Sequence, residues 1–193
     1  RELILAEAGA ILVGGLSRDE SEAAVADLRA AHPGSRTELL PVWGNVFVRD
    51  SLADRRPESI RDDAAARSLL LGDALDELRT DTYASSLLVQ LILGRSAMAP
   101  GRRPDLVVDA VNTATALAYG GIYPTIQRVL ARRTDDASGH AGPPDAEDVD
   151  DLLAAQAIPM LVRHVQLISQ ALIVAETKVY VKIGTTGTGG MGL

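Results

Sequence analysis

The sequence contains no cysteine, which excludes disulfide bonds, zinc sites built on thiolates and a cysteine nucleophile. Aromatic residues make up only 3% of the chain, and its three histidines, His32, His140 and His164, are too widely separated to predict a histidine-rich metal cluster. The fold must therefore depend on the burial of aliphatic side chains, and 47% of the residues are hydrophobic. A chain of 193 residues is long enough for one domain with a substantial core.

Long hydrophobic runs are also missing. The longest mainly apolar stretches, such as residues 87–93, are much shorter than the roughly 18 residues that a membrane-spanning helix needs. No basic segment precedes an apolar one, as it would in a secretory signal. We therefore expect a soluble, cytoplasmic protein with no membrane partner.

The net charge of −7 comes from one part of the chain. Seven acidic residues and no lysine or arginine lie within residues 134–151, and the other 19 acids are balanced by 19 bases. This balance gives no support to a nucleic-acid partner. Because the segment is rich in glycine, proline and acids, we expect a mobile acidic insertion at the surface.

Elsewhere, short aliphatic runs alternate with longer helical patterns. The runs at residues 11–13, 37–42, 106–111 and 179–183 predict strands, and helical spacing is found at residues 21–31, 64–78, 82–93 and after the acidic segment. This pattern predicts an α/β fold with a Rossmann-like, doubly wound parallel sheet and helices on both faces. A helical pattern at residues 1–8 and a glycine-rich stretch at 184–192 stand at the two ends of the chain. We therefore expect a single domain over residues 1–193 that is incomplete at both ends.

In such sheets, ligands bind beyond the carboxyl ends of the strands. The first predicted strand is followed by Gly14, Gly15, Leu16, Ser17 and Arg18. A unit that selects NAD usually has an acid in this region to hold the ribose 2′-hydroxyl, whereas the planar guanidinium of Arg18 suits a 2′-phosphate. Ser17 and Arg18 therefore predict NADP in preference to NAD. The alternative is that Arg18 only pairs with Asp19 or Glu22 at the start of a helix.

The second predicted strand is followed by Trp43, Gly44, Asn45 and Val46. A glycine permits close approach of a ligand to the backbone, and an amide can both donate and accept hydrogen bonds. Asn45 and Val46 could therefore flank an adenine ring. The alternative is a turn in which asparagine adopts an unusual backbone conformation.

The third and fourth predicted strands are followed by small and hydroxyl-bearing residues. Asn112, Thr113 and Ala114 would allow a flat cofactor to lie against the backbone, although Asn112 or Thr113 could equally cap a helix. The glycine-rich stretch after the last strand could form a phosphate-binding nest, but neither the following helix of a dinucleotide fingerprint nor the lysine of a P-loop is present. Thr185 and Thr186 would instead present hydroxyls to a bound carbonyl or alcohol.

Taken together, these strand ends resemble the short-chain dehydrogenase/reductase superfamily, particularly its extended or atypical members. The resemblance is strongest in PDLVVDAVNTATALAY, residues 104–119, and KVYVKIGTTGTGGMG, residues 178–192. It implies that Asn112, Thr113 and Ala114 line the nicotinamide half of the cofactor. The pair Asn45-Val46 resembles the family's Asp-Val pair, with asparagine in place of the acid. Thr186, with Thr185 second, corresponds to the catalytic Ser/Thr.

Two family features are absent from this sequence. The glycine-rich turn would fall before Arg1, and the Tyr-x-x-x-Lys pair, whose tyrosine exchanges a proton with the substrate oxygen, would fall after Leu193. Neither Lys178 nor Lys182 has a tyrosine four residues before it. The resemblance implies an NADP-dependent oxidoreductase acting on a small-molecule alcohol or carbonyl, assembled as a homo-oligomer. The alternatives are a nucleotide-sugar epimerase or dehydratase of the same fold, and a non-catalytic dinucleotide-binding or assembly protein.

Overall fold

The computed structural model describes residues 1–111, 122–134, 146–155 and 157–183. The described strands are β1 (Ala10–Gly15), β2 (Glu38–Trp43), β3 (Leu106–Asp109) and β4 (Val179–Lys182). The described helices are α1 (Glu2–Leu5), α2 (Arg18–Ala31), α3 (Pro57–Asp62), α4 (Ala64–Leu75), α5 (Thr80–Ser85), α6 (Leu87–Ile92), α7 (Ile122–Thr134), α8 (Ala146–Ala154) and α9 (Ala157–Ala175), and a 3-10 turn covers Asp50–Leu52. The predicted alternation of strands and helices is therefore confirmed, with boundaries shifted by a few residues.

The four described strands form two separate parallel pairs. In the first, β1 runs beside β2 from Ala10 opposite Glu38 to Gly15 opposite Trp43. In the second, β3 runs beside β4, and Asp109 lies opposite Lys182 at the carboxyl end. The prediction of a parallel α/β fold is confirmed in this coarser form. The prediction of one continuous doubly wound sheet is not met by these strands, because no hydrogen bonds join the two pairs within the described residues.

Local sequence explains where α2 and α4 begin. The Ser17 hydroxyl accepts a hydrogen bond from the Glu20 backbone N–H, and the Glu20 carboxylate accepts one from the Ser17 N–H, which is a capping box. The Asp63 side chain accepts hydrogen bonds from the backbone N–H groups of Ala65 and Ala66 at the start of α4. Because these side chains satisfy otherwise unpaired N–H groups, both helices start at defined residues.

Three hydrophobic clusters hold these elements together. The first lies between α2 and the β1–β2 pair and is built on Ile4, Val25 and Leu39. The second joins the chain after β2 to α3, α4 and Leu87 at the start of α6. The third packs α6 against α9 and consists of Val89, Ile92, Leu93, Leu167, Ile168, Ala171 and Ala175. The β1–β2 pair is thus supported by the buried apolar face of α2. No residue of β3 or β4 belongs to these three clusters, and the residues of β4 are exposed.

The end of the predicted acidic insertion is helical. Residues 135–145 lie outside the described part of the chain, whereas residues 146–151 belong to α8. Arg67 on α4 is buried and lies 3.6 Å from the Glu147 carboxylate and 3.5 Å from that of Asp151, which also pairs with Arg128 on α7. A buried guanidinium requires such partners, so part of the acidic segment compensates basic residues of the fold.

One described helix is long and apolar enough to cross a membrane by length and composition alone. The window Ile158–Ala175 of α9 has a mean hydropathy of 1.4 over 18 residues, and 33% of it is buried. Inspection of apolar runs does not find this window because Arg163, His164 and glutamines interrupt it. Core helices pass the same test, and the buried face of α9 packs against α6.

Candidate functional site at the carboxyl ends of the strands

Arg18 is held in a fixed position at the carboxyl end of β1. Its Nε donates a hydrogen bond of 2.7 Å to Glu22 Oε1, while 66% of the side chain stays exposed. The guanidinium carbon lies 5.2 Å from the centre of the Trp43 ring, within the range of a cation–π contact. The hydrogen bond to Glu22 and its negative charge raise the pKa of Arg18, so the group is a permanent cation.

The contact between Arg18 and Trp43 brings two predicted site segments together. Trp43 is the last residue of β2, and the next backbone N–H, that of Gly44, donates to the Gly15 carbonyl at 3.2 Å. The ion pair to Glu22 that was the alternative interpretation of Arg18 is formed, and it exists together with the Trp43 contact. The sequence offered Trp43 as a neighbour of the site, but not as the aromatic partner of Arg18.

Ser17 contributes through the helix cap. Its hydroxyl accepts from Glu20 N at 3.3 Å, and its own N–H donates to Glu20 Oε2 at 3.2 Å. Both groups are therefore engaged in shaping the first turn of α2. Ser17 fixes the backbone from which the Arg18 side chain extends.

Asn45 forms the turn that was its alternative interpretation. Its Oδ1 accepts from the Phe47 N–H at 3.0 Å, and its own N–H donates to the Ala53 carbonyl at 2.8 Å. The positive φ of this turn falls on Gly44, at 113°, and not on Asn45. The side chain of Val46 packs against the hydrophobic cluster that contains Val48, Leu52 and Ala53. The Val48 N–H also donates to the Asn45 carbonyl at 3.3 Å, so this segment offers a ligand the Asn45 amide nitrogen and the backbone at Val46.

A second group of polar side chains lies at the carboxyl ends of β3 and β4. The Asp109 carboxylate accepts hydrogen bonds from the Tyr180 hydroxyl at 2.8 Å, from Lys182 Nζ at 2.9 Å and from the Val111 N–H at 3.0 Å. Lys182 Nζ also donates to the Val111 carbonyl at 2.6 Å. We call Asp109, Tyr180 and Lys182 the Asp109 cluster.

The side chains of Tyr180 and Lys182 in the Asp109 cluster both donate to the Asp109 carboxylate. Burial acts to raise the pKa of Asp109, but the hydrogen bonds from Lys182, Tyr180 and Val111 outweigh burial and lower it. Burial and the hydrogen bond to Asp109 raise the pKa of Tyr180 to about 12. The phenol therefore remains protonated as a donor to the carboxylate, and it is a poor proton donor to a substrate.

The other predicted site residues, Asn112, Thr113, Ala114, Thr185 and Thr186, lie outside the described residues. The chain positions that precede them are adjacent, because the Ile183 N–H donates to the Asp109 carbonyl at 2.8 Å. The Asp109 cluster itself was missed by sequence reasoning. Its only signal was the spacing of Tyr180 and Lys182, since residues two apart lie on the same side of a strand.

His164 on α9 lies against Phe47, and the charges of Asp109 and Lys182 act on its ring. Its ring centre is 4.6 Å from that of Phe47, which follows the Asn45 turn. Its two nitrogens are buried and have no hydrogen-bond partner in the part of the chain that the structure describes. Burial lowers the pKa of His164, opposed by the charge of Asp109 and assisted by that of Lys182. The imidazole is therefore kept neutral near neutral pH.

In comparisons with known proteins, no protein-family model, curated protein or solved structure matches this chain. The chemistry of the site is accordingly inferred from its own residues.

Proposed function

We propose that this chain is the NADP(H)-binding part of an oxidoreductase of the short-chain dehydrogenase/reductase type, acting on an alcohol or carbonyl. The observation that carries the proposal is the exposed guanidinium of Arg18, fixed between Glu22 and Trp43 at the carboxyl end of a parallel strand. Ligands of open parallel sheets bind at this end of the strands.

The arrangement of the strands supports the same proposal. The dinucleotide-binding order is 3-2-1-4-5-6, so strand 2 pairs with strand 3 and strand 4 pairs with strand 5. The parallel pairs β1–β2 and β3–β4 are compatible with these two combinations when β1 is counted as strand 2 and β3 as strand 4. In the order 3-2-1-4-5-6, strand 1 lies between these two combinations, so they are not paired directly with each other.

Arg18 fits the 2′-phosphate of NADP in chemical terms. Its hydrogen bond to Glu22 uses Nε, so the terminal nitrogens Nη1 and Nη2 can form a bidentate pair with a phosphate. Ser17 positions this cation through the capping box, and Asn45 with the backbone at Val46 lines the adenine side. By the resemblance, Asn112, Thr113 and Ala114 contact the nicotinamide half, and Thr186 with Thr185 binds the substrate oxygen. The bound cofactor would supply the hydride.

One observation favours a second candidate, a dinucleotide-binding protein without catalysis. The tyrosine of the Asp109 cluster has its pKa raised to about 12, and the lysine beside it is bound to Asp109 and the Val111 carbonyl. Neither group is therefore suited to proton transfer with a substrate. Binding of NADPH without turnover of any alcohol or carbonyl would favour this candidate.

The proposal can be tested through Trp43, which is the only tryptophan of the sequence and lies against Arg18. We would titrate 2′,5′-ADP, 5′-ADP, NADPH and NADH while following Trp43 fluorescence. We expect 2′,5′-ADP and NADPH to bind, and the two ligands without a 2′-phosphate to bind at least roughly tenfold more weakly.

The variant for this test is Arg18→Ala, and its matched control is Arg36→Ala, which removes an exposed arginine beyond the end of α2. Arg18→Ala should abolish the preference for the 2′-phosphate, and Arg36→Ala should retain it. If no nucleotide binds, or if Arg18→Ala keeps the preference, the NADP proposal is wrong.

A further inference from the structure

A cavity in the helical part of the molecule is lined by a buried arginine, Arg163, which pairs with no acid among the residues that the structure describes. It lies between the segment after β2 and helices α4, α5 and α9, and its polar lining consists of Arg49, Asp73, Thr82, Ser86 and Arg163. Arg163 is only 7% exposed and Ser86 only 3%. The cavity is separate from the strand-end residues assigned to the nucleotide.

The hydrogen bonds of the cavity wall leave Arg163 incompletely satisfied. Its Nη2 donates to the Asp76 carbonyl at the end of α4. Its Nε and Nη1 are buried and have no partner among the described residues, and the same holds for the Ser86 hydroxyl oxygen. Most buried polar atoms in proteins have a hydrogen-bond partner. Three unpartnered atoms on two side chains of the cavity wall therefore indicate a bound polar species.

The charges of the wall determine the sign of that species. Arg49 donates to both oxygens of Asp73, at 2.7 and 2.5 Å, so the charges of Arg49 and Asp73 neutralise each other. Thr82 donates to the same carboxylate at 3.1 Å. Arg163 forms no ion pair with a carboxylate in the described part of the chain, so no acid there compensates its guanidinium. The Asp76 carbonyl offsets only part of this charge, since a helix end carries about half an elementary charge.

The size of the cavity limits the species to a small one. The cavity volume is about 20 Å³, and a cavity needs roughly 10–15 Å³ to hold one water molecule. A monatomic ion fits this space, whereas a nucleotide does not. A water molecule would complete hydrogen bonds but would leave the buried charge uncompensated, which is costly in a protein interior.

We propose that this cavity is a binding site for one small monovalent anion of about the size of chloride, held by Arg163 and Ser86. The anion completes the hydrogen bonds of both side chains and neutralises the guanidinium between α4 and α9. Because it binds the folded state, it stabilises the protein in proportion to its occupancy.

The test uses the full chain without nucleotide, so its result does not depend on the proposed function. Thermal unfolding is measured in sodium chloride and in sodium gluconate at one constant ionic strength, since gluconate is too large for the cavity. We expect chloride to raise the midpoint temperature in a saturable manner. Arg163→Met should abolish this response. In Ser86→Ala, the chloride concentration that gives half of the stabilisation should be severalfold higher.

The matched control is Arg103→Met. Arg103 also donates Nη2 to a backbone carbonyl, that of Val174, but it is exposed and does not line the cavity. This variant should keep the chloride response. If Arg163→Met does not fold, the wild type and Ser86→Ala still decide the question.

The anion is located directly by crystals grown in sodium bromide, where anomalous scattering should place one bromide within hydrogen-bonding distance of Arg163. Equal stability in chloride and gluconate, or a chloride response that Arg163→Met retains, would overturn the proposal. So would water alone in the cavity, or a bromide peak without any effect in solution, which would mean binding at crystal concentration only.

Discussion

The carboxyl ends of the two strand pairs differ in how far their charged side chains are exposed and already hydrogen-bonded. At the end of β1 and β2, Arg18 is exposed and keeps two nitrogens able to donate to a ligand. At the end of β3 and β4, the Asp109 carboxylate is 8% exposed and is already occupied by Tyr180, Lys182 and Val111. Both ends carry polar residues in a place where parallel sheets bind ligands. The difference indicates that the first end is available for binding, while the second holds its strands together.

The largest expected effect on stability comes from breaking the hydrogen bonds of the Asp109 cluster at the end of β3 and β4. Asp109→Asn removes the charge that Lys182 and Tyr180 share, and it should lower the free energy of unfolding by about 3 kcal/mol in a urea titration. The matched control is Asp105→Asn at the other end of β3, where an exposed carboxylate pairs with exposed Lys178 at 2.7 Å. This control should change stability very little because exposed ion pairs contribute little. Equal losses in the two variants would refute the assignment of Asp109 as the structural partner.

A smaller loss is expected from the turn beneath the open end. Gly44 has a φ of 113°, and a Cβ atom there would lie 2.8 Å from Leu87 Cδ2 and 3.0 Å from the Cβ of Ala53. Gly44→Ala should therefore reduce the free energy of unfolding by about 2 kcal/mol. Gly34→Ala, where an added Cβ has no neighbour within 4 Å, is the control and should be close to neutral. An unchanged Gly44→Ala protein would mean that the turn is not rigidly packed.

The pH dependence of stability should report His164. Burial lowers its pKa in the folded state below the ordinary value of 6.5, so the unfolded chain binds a proton first as the pH falls. The contribution of the neutral imidazole is present above pH 6.5 and is lost below it, with a slope of at most about 1.4 kcal/mol per pH unit for one proton. His164→Leu should have a flatter profile between pH 5 and 6.5 than the wild type. Identical profiles would contradict the burial of a neutral histidine.

The smallest effect is expected at the open end and concerns binding more than stability. Glu22→Gln removes a negative charge that would repel a 2′-phosphate, while the glutamine oxygen can still accept from Arg18 Nε. NADPH should therefore bind a few times more tightly at low ionic strength. Glu20→Gln is the control, because it removes one negative charge from the same helix turn while a glutamine can still complete the capping box. If both variants change NADPH affinity equally, only the net charge matters and the specific contact is refuted.

Local patterns were sufficient to predict most elements. Aliphatic runs predicted all four described strands. Helical spacing predicted α2 only from residue 21, three residues late, because Ser17 was assigned to the ligand and its role as the helix cap was missed. The partners of Arg18 were only half predicted: Glu22 lies one helical turn away, whereas Trp43 reaches the guanidinium through the pairing of β1 with β2. Contacts within one turn can be inferred from spacing, but those across strands require the register.

The features that the sequence did not predict depend on long-range pairing. Asp109 meets Lys182 because β3 and β4 pair in one register, and nothing near Asp109 in the sequence indicates it. Likewise, Arg67 is buried against Glu147 and Asp151, which composition alone had placed in a solvated loop. Composition describes the average tendency of a segment, and a buried charge elsewhere can order part of it.

The lengths of the two crossovers have a consequence for how the chain folds. Gly15 on β1 pairs with Trp43 on β2, and one helix, α2, connects the two strands. Asp109 on β3 and Lys182 on β4 are 73 residues apart in the sequence. Closing a longer loop costs more conformational entropy, and pairing between distant segments slows folding. The β1–α2–β2 unit should therefore form early, and the β3–β4 ladder should form late. A nascent chain would acquire the Arg18 surface well before the strand that carries Tyr180 and Lys182 has been synthesised.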